Sequence, residues 1–323
     1  MDWIWDLGVS IGLAGFQRQP RTTRFWQSWR RRVLRIREVP PKRGGKTNFP
    51  MGDESATLPL MKTSLLLAVS IFSVAMTAAR AANNDTRVFE MRTYYAEPGK
   101  LDALNTRFRE HTCKLFEKHG MTNIGYWMPI ENPESKLVYV LAYPSREARE
   151  QSWKEFGADP DWKKAQSESE KDGKLVAKVE QIFFTAQDYS PEIKPGTGPG
   201  ERVFELRTYT TAPGRLDALN ARFRDHTTKL FTKHGITNVF YGKLLPEQPK
   251  NAGLLGGPDS TLVYLLAHQS VDAAKASFDA FRQDPDWVAA KEASEKAAGG
   301  SLTVEKDGVK SVFMKATDYS PMR

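Results

Sequence analysis

Residues 87–126 read RVFEMRTYYAEPGKLDALNTRFREHTCKLFEKHGMTNIGY, and residues 202–241 read RVFELRTYTTAPGRLDALNARFRDHTTKLFTKHGITNVFY. Without a gap, 28 of 40 positions are identical. The likeness resumes where Leu137–Tyr143 (LVYVLAY) faces Leu262–His268 (LVYLLAH), and again where Asp159-Pro160-Asp161-Trp162 faces Asp284-Pro285-Asp286-Trp287. It closes with Asp188-Tyr189-Ser190-Pro191 against Asp318-Tyr319-Ser320-Pro321. One structural unit is written twice, so the fold question reduces to that unit. Extra residues in the second copy fall at 245–260 and near 299–308 and read as loop insertions.

Each unit carries the same order of signals. Arg87–Tyr95 alternates and is rich in Val, Phe, Thr and Tyr, as a strand is. Pro98 is expected to open a long helix whose apolar stripe runs through Leu101, Leu104, Phe108 and Leu115. Gly120 ends it as a left-handed residue. Strands follow near 123–130 and 136–143, then a helix near 145–156 and a second helix capped by Asp159 with Pro160 behind it. A last strand runs near 178–186. The order β-α-β-β-α-β makes an α+β, ferredoxin-like unit with helices on one sheet face. Apolar residues on both faces of LVYVLAY require a cover for the other face as well. Two units on one chain supply it: two ferredoxin-like repeats pack sheet to sheet as an intramolecular pseudo-dimeric α/β barrel. The domain boundaries that follow are 82–191 and 202–323, with 192–201 as a linker.

Phe89-Glu90-Met91-Arg92-Thr93-Tyr94 followed by Pro98-Gly99-Lys100-Leu101, with a distal Asp-Pro-x-Trp, resembles the NIPSNAP family. The resemblance spans nearly all of 87–190 and 202–320. It implies the dimeric α/β-barrel superfamily, whose other branches include small monooxygenases and haem-binding chlorite dismutase-like proteins. It implies no settled enzymatic activity. Eukaryotic members are associated with mitochondria, membrane traffic and mitophagy, a setting from which an exported tandem protein departs.

The chain has a formal charge of +8. Residues 1–81 hold 13 Lys and Arg against 5 Asp and Glu, whereas residues 82–323 hold 34 of each. A charge-balanced body argues against nucleic acid as its partner. Residues 61–81 (MKTSLLLAVSIFSVAMTAARA) have a positive start, an apolar stretch and small residues at Ala79 and Ala81, the anatomy of a secretory signal cleaved after Ala81. The expected location is therefore periplasmic or extracellular, with membrane attachment only through an uncleaved signal. Residues 1–60 read as disordered or as a start assigned too far upstream. Their Arg-rich character also fits an organelle transit segment, which would make the location mitochondrial in a eukaryote. The single cysteine, Cys113, excludes an internal disulfide and a Cys-based metal cluster.

The candidate chemistry lies in a few residues. His111 is placed by its spacing from Phe108 and Leu115 on the apolar stripe, and His226 likewise. There each is a buried structural histidine, a general base or a haem ligand. His119 and His234 precede the helix-ending glycines and meet the negative end of the helix dipole. His111 and His119 are eight residues, hence about 12 Å, apart along one helix and share no tetrahedral metal. The first strands offer Glu90, Arg92 and Tyr94 on one face, matched by Glu205, Arg207 and Tyr209, with Tyr126 and Tyr241 nearby. As structure, this row is a Glu–Arg network fixing how the two sheets meet. As a site, it is a cation for an anionic ligand beside a carboxylate and a phenol. Trp162 and Trp287 read as packing residues or, alternatively, as a ligand platform. The chain has no P-loop, dinucleotide glycine pattern, nucleophile elbow or HExxH. These observations point to a small-ligand-binding or interaction module without a resident cofactor or metal, its small-molecule or protein partner unidentified and further oligomerisation left open. The alternative is a cofactor-free or haem-assisted oxygenase or lyase using His111 or His226 with Arg92 or Arg207.

Overall fold

The computed structural model describes residues 85–196, 198 and 201–323; segments 1–60 and 61–81, with the address signals read from them, lie outside the described residues. The first repeat runs β1 (Val88–Ala96), α1 (Leu101–Arg107), a π-helical turn (Phe108–Thr112), α2 (Cys113–Lys118), β2 (Thr122–Pro129), β3 (Lys136–Tyr143), α3 (Arg146–Ala158), α4 (Pro160–Ser169) and β4 (Val176–Ala186). The second repeats it as β5 (Val203–Thr210), α5 (Leu216–Arg222), a π-helical turn (Phe223–Thr227), α6 (Thr228–Lys233), β6 (Thr237–Leu244), β7 (Thr261–His268), α7 (Val271–Gln283), α8 (Pro285–Ala297) and β8 (Val309–Ala316). The eight strands close into one antiparallel barrel in the order β1-β3-β2-β8-β5-β7-β6-β4. The repeats join at two seams, β2 with β8 (Trp127–Pro129 against Met314–Ala316) and β4 with β6 (Phe184–Ala186 against Gly242–Leu244). The barrel is thus formed within one chain.

The two faces of β3 explain the two layers. Val138, Val140 and Ala142 fill the barrel lumen, while Leu137, Tyr139, Leu141 and Tyr143 pack under the helices. The lumen is a solid core and not a channel, with Phe89, Phe184, Phe204, Phe240 and Trp127 all buried in it. Its filling is not symmetric. Gly125 leaves room for the Trp127 ring, which a Cβ there would meet at 2.4 Å. The second repeat places Phe240 and Gly242 at the matching positions, and Phe184 covers Gly242. The expected linker is also part of this core: Ile193 is fully buried in the lumen cluster, with Met322.

The local helix signals hold, with two corrections. Ser145 and Asp159 cap α3 and α4 by accepting from the Ala148 and Asp161 N–H groups, and Gly120 is left-handed at φ 74°. The first helix begins at Leu101 and not at Pro98, because Pro98-Gly99 forms a turn with Gly99 at φ 75°. The π-turn is the second correction. It was not expected, and it adds one residue to the turn between Phe108 and the next buried position. Thr112 takes that position, with its hydroxyl donating to the Arg107 carbonyl at 3.1 Å, and His111 is turned out to solvent. The same shift puts Thr227 inside and His226 outside.

The closing Asp-Tyr-Ser-Pro motif of each repeat crosses to the other. Tyr319 donates to Asn105 at 2.6 Å, Asp318 takes the Arg109 guanidinium, and Ser320 accepts from the Tyr126 N–H. Reciprocally, Tyr189 donates to Asn220 at 2.8 Å, Asp188 takes Arg224, and Ser190 accepts from the Tyr241 N–H. The insertion at 245–260 covers the outer edge of β4 through Asn251 and Gln248.

Candidate functional site

The Glu–Arg row lies on the helix side of the barrel, because Phe89 and Met91 take the lumen side of β1 and the pleat alternates. The network therefore does not set how the two sheets meet, which the lumen core and the exchanged Asp-Tyr-Ser-Pro motifs do. It ties each sheet to its own helices. In the first repeat Glu90 is fully buried and accepts from Arg92 Nη1 (2.8 Å), Arg149 Nε and Nη2 (3.0 and 2.9 Å), Tyr143 Oη (3.0 Å) and Trp153 Nε1 (3.1 Å). Burial pushes the Glu90 carboxyl up, but the Arg92 charge and the Arg149 fork outweigh it and bring it down to about 2. Arg92 also donates to Gln181 at 3.0 Å and lies over the Trp153 ring at 4.4 Å. Tyr94 packs edge-on against Tyr139 and Phe108. This half-site is filled by its own side chains.

The second repeat keeps the strand row and loses its cover. By the spacing of the repeats, His268 stands for Tyr143, Ala274 for Arg149 and Phe278 for Trp153. Glu205 now accepts from His268 at 3.0 Å, from Ser311 and from Arg207. Burial pushes the Glu205 carboxyl up, while the His268 hydrogen bond and the Arg207 charge bring it below its ordinary range. Arg207 turns to Tyr264 (Nε to Oη, 2.8 Å) and Tyr209 (Nη2 to Oη, 3.1 Å). Tyr264 and Tyr209 with Glu205 hold its charge against the cost of burial.

A cavity of about 490 Å³ opens here between helices and sheet. Arg207 and Tyr209 from β5, Arg222 from α5, Phe223 and Thr227 from the π-turn, and Phe278 from α7 line it. Trp287, Lys291, Glu292 and Glu295 from α8, Arg282 from the end of α7, and Ser301 and Thr303 from the inserted segment 299–308 line the rest with further apolar side chains. Its volume falls within the roughly 300–1,000 Å³ of small-molecule sites.

The expected site residues thus separate. Arg207 and Tyr209 line the cavity; Glu205 lies behind Arg207. Tyr126 and Tyr241 are buried packing residues whose hydroxyls bond Asn123 and Asn238. No histidine is among the described residues lining the cavity, so the strand arginine of the enzymatic alternative is present there and the helix histidine is not. His119 and His234 do more than face a helix dipole: each bonds the capping carboxylate of α4 or α8, Asp159 or Asp284, at 2.6 Å. Lys118 and then His119 hold the Asp159 carboxyl well below its usual range. Trp162 packs on Phe156 at 4.4 Å, as the packing reading has it, whereas its counterpart Trp287 also faces the cavity. Burial pushes the Cys113 thiol up to about 11, which leaves it a packing residue. Among the described residues no cluster of His, Cys, Asp and Glu is arranged for a metal. The residues missed in the sequence are Arg222 and Phe278; the signal for Phe278 is the difference between the copies.

An antiparallel eight-stranded barrel closed from two ferredoxin-like repeats, with helices outside, defines a single-chain protein of the dimeric α/β-barrel class. The family model NIPSNAP matches residues 89–191 and 204–321. The chain belongs to the NIPSNAP family. It is similar to a NipSnap homolog of Dictyostelium discoideum, 24% identical over 209 residues that cover 63% of this chain and 79% of that one. Among solved structures, a NIPSNAP family protein of unknown function from Agrobacterium tumefaciens is 20% identical, with a TM-score of 0.31, and matches 35% of this chain with 98% of its own. A putative monooxygenase from Fusobacterium nucleatum is 9% identical, with a TM-score of 0.45, over 72% of this chain and 94% of that one. These structural likenesses concern the fold.

Proposed function

We propose that this protein binds a small molecule between the helices and sheet of its second repeat, the first repeat serving as the closed half of the barrel. The observation that carries this reading is the cavity that Phe278 lines where the first repeat has Trp153, beside the strand row Arg207 and Tyr209; Ala274 and His268, which stand for Arg149 and Tyr143, lie outside its lining. The smaller ring at Phe278 goes with a lined cavity, where Trp153 bonds Glu90 in the first repeat. The test rebuilds the first-repeat cluster in the second, as H268Y/A274R/F278W. Fragments found by ligand-observed NMR on the wild-type chain should lose about tenfold or more of their affinity in this variant, while it stays folded. Fragments that bind both chains equally would place binding elsewhere and refute the reading.

Export through residues 61–81 is part of the same proposal, supported by the positive start, apolar stretch and Ala79-x-Ala81 ending. Among the described residues no helix is long and apolar enough to cross a membrane. Intact-mass measurement of the protein from its native source should find Ala82 at the N-terminus. A chain beginning at Met1 or Met61 would reject cleavage.

A further inference from the structure

The two repeats hold the same buried arginine in two different states. Arg107 and Arg222 each end the first helical segment of their repeat, are 4% and 6% exposed in the side chain, and lie over Trp162 and Trp287 at 5.2 and 5.1 Å. Arg107 has a close carboxylate, with Nη1 at 2.8 Å from Glu170. Arg222 does not: its Nη1 stands 3.5 Å from Glu295 and 3.4 Å from the Ser294 hydroxyl, while the Nε of both arginines is buried without a partner. The loosened arginine is the one that lines the cavity. Burial of its charge outweighs what Glu295 returns, in keeping with a cation short of a counter-charge.

The rest of the lining says what surrounds that charge. Tyr209, Phe223, Phe231, Phe278, Phe281 and Trp287 supply flat apolar surface. Arg207 lines the same cavity, but all three of its guanidinium nitrogens are already engaged, by Tyr264, Glu205 and Tyr209. It adds positive potential, with one N–H of each nitrogen already committed to these partners. Lys291, exposed on α8, and Arg282 are further cations at the lining, so that four cations face the two carboxylates Glu292 and Glu295 there. A neutral aromatic ligand would use the rings and leave Arg222 as it is. A ligand with an anionic group completes the pair that Glu295 leaves stretched, and a charge-assisted bond to a buried guanidinium is among the stronger polar contacts.

We infer that the cavity of the second repeat takes an aromatic carboxylate, its anionic group on Arg222 and its ring against Trp287 and Phe278. This rests on the reading of that cavity as a binding site. The class of ligand is set by one arginine, which is a positioning and specificity residue with no role assigned in turnover.

The test compares 2-naphthoate with its neutral isostere 2-naphthamide by titration calorimetry on the full chain. Naphthoate should bind about tenfold or more tighter than the amide to the wild-type protein. In R222M the two should converge on the amide's affinity, and R222K should keep part of the preference for naphthoate. Equal binding of both compounds to the wild-type chain, or an equal loss of both in R222M, overturns the carboxylate class and leaves the cavity reading standing. Failure of both compounds to bind the wild-type chain at millimolar concentration overturns the class and counts against the cavity as well. The wild-type comparison does not depend on the variant folding, and a circular dichroism melt of R222M separates lost binding from lost structure.

Discussion

Glu90→Gln is expected to destabilise the protein by about 3–5 kcal/mol at pH 7, read as a fall in the urea midpoint. The carboxylate is fully buried and accepts from two arginines, a tyrosine and a tryptophan. An amide keeps the shape and removes the charge, so Arg92 and Arg149 are left buried with less to neutralise them. The pH dependence identifies the cause. Folding lowers the Glu90 pKa from 4.5 to about 2, so the stability it contributes is complete above about pH 4.5 and is lost as the pH falls towards 2. That loss is about 3 kcal/mol, and the gap between wild type and variant should close by this amount over the same window. A gap as wide at pH 2 as at pH 7 would mean that Glu90 acts through packing and not through charge.

Phe184→Ala should cost a similar amount, about 3–5 kcal/mol, for a different reason. Phe184 is fully buried in the lumen and stacks between Phe89 and Phe240, with ring centroids 5.3 Å from each. Phe89 and Phe184 belong to the first repeat and Phe240 to the second, so the stack crosses the β4–β6 seam. Truncation opens a void in a core that both repeats share. The variant should therefore still unfold in one transition by calorimetry, at a lower temperature, because neither sheet retains a covered inner face without the other. Two separated transitions, one for each repeat, would contradict the shared core.

Much of this fold is legible in the sequence because its signals are local. The repeat, the alternation in Arg87–Tyr95, the caps at Ser145 and Asp159 and the left-handed Gly120 each depend on a few neighbouring residues. The double-sided apolar strand Leu137–Tyr143 also foretells a closed barrel, since each of its faces needs a cover. The site was only half legible. Arg207 and Tyr209 stand out in the repeated strand row, yet identity between the copies points equally to Arg92 and Tyr94. What separates the two is the differing residues above them, Arg149 against Ala274 and Trp153 against Phe278.

By itself the sequence determined the elements, their order and their doubling, since these follow from periodicity and capping along the chain. Tertiary structure alone decided that the Glu–Arg face of β1 and β5 turns to the helices and the opposite face, with Phe89 and Met91 in β1, to the lumen, because both sides of the sheet are covered and alternation does not say which cover each face meets. It decided that the π-turn sends His111 and His226 outward, a shift of one residue that helical spacing does not encode. It also decided that each Asp-Tyr-Ser-Pro motif serves the opposite repeat. The cavity belongs to this second group: it is a volume left between side chains from several elements, and volume is fixed only when those elements pack.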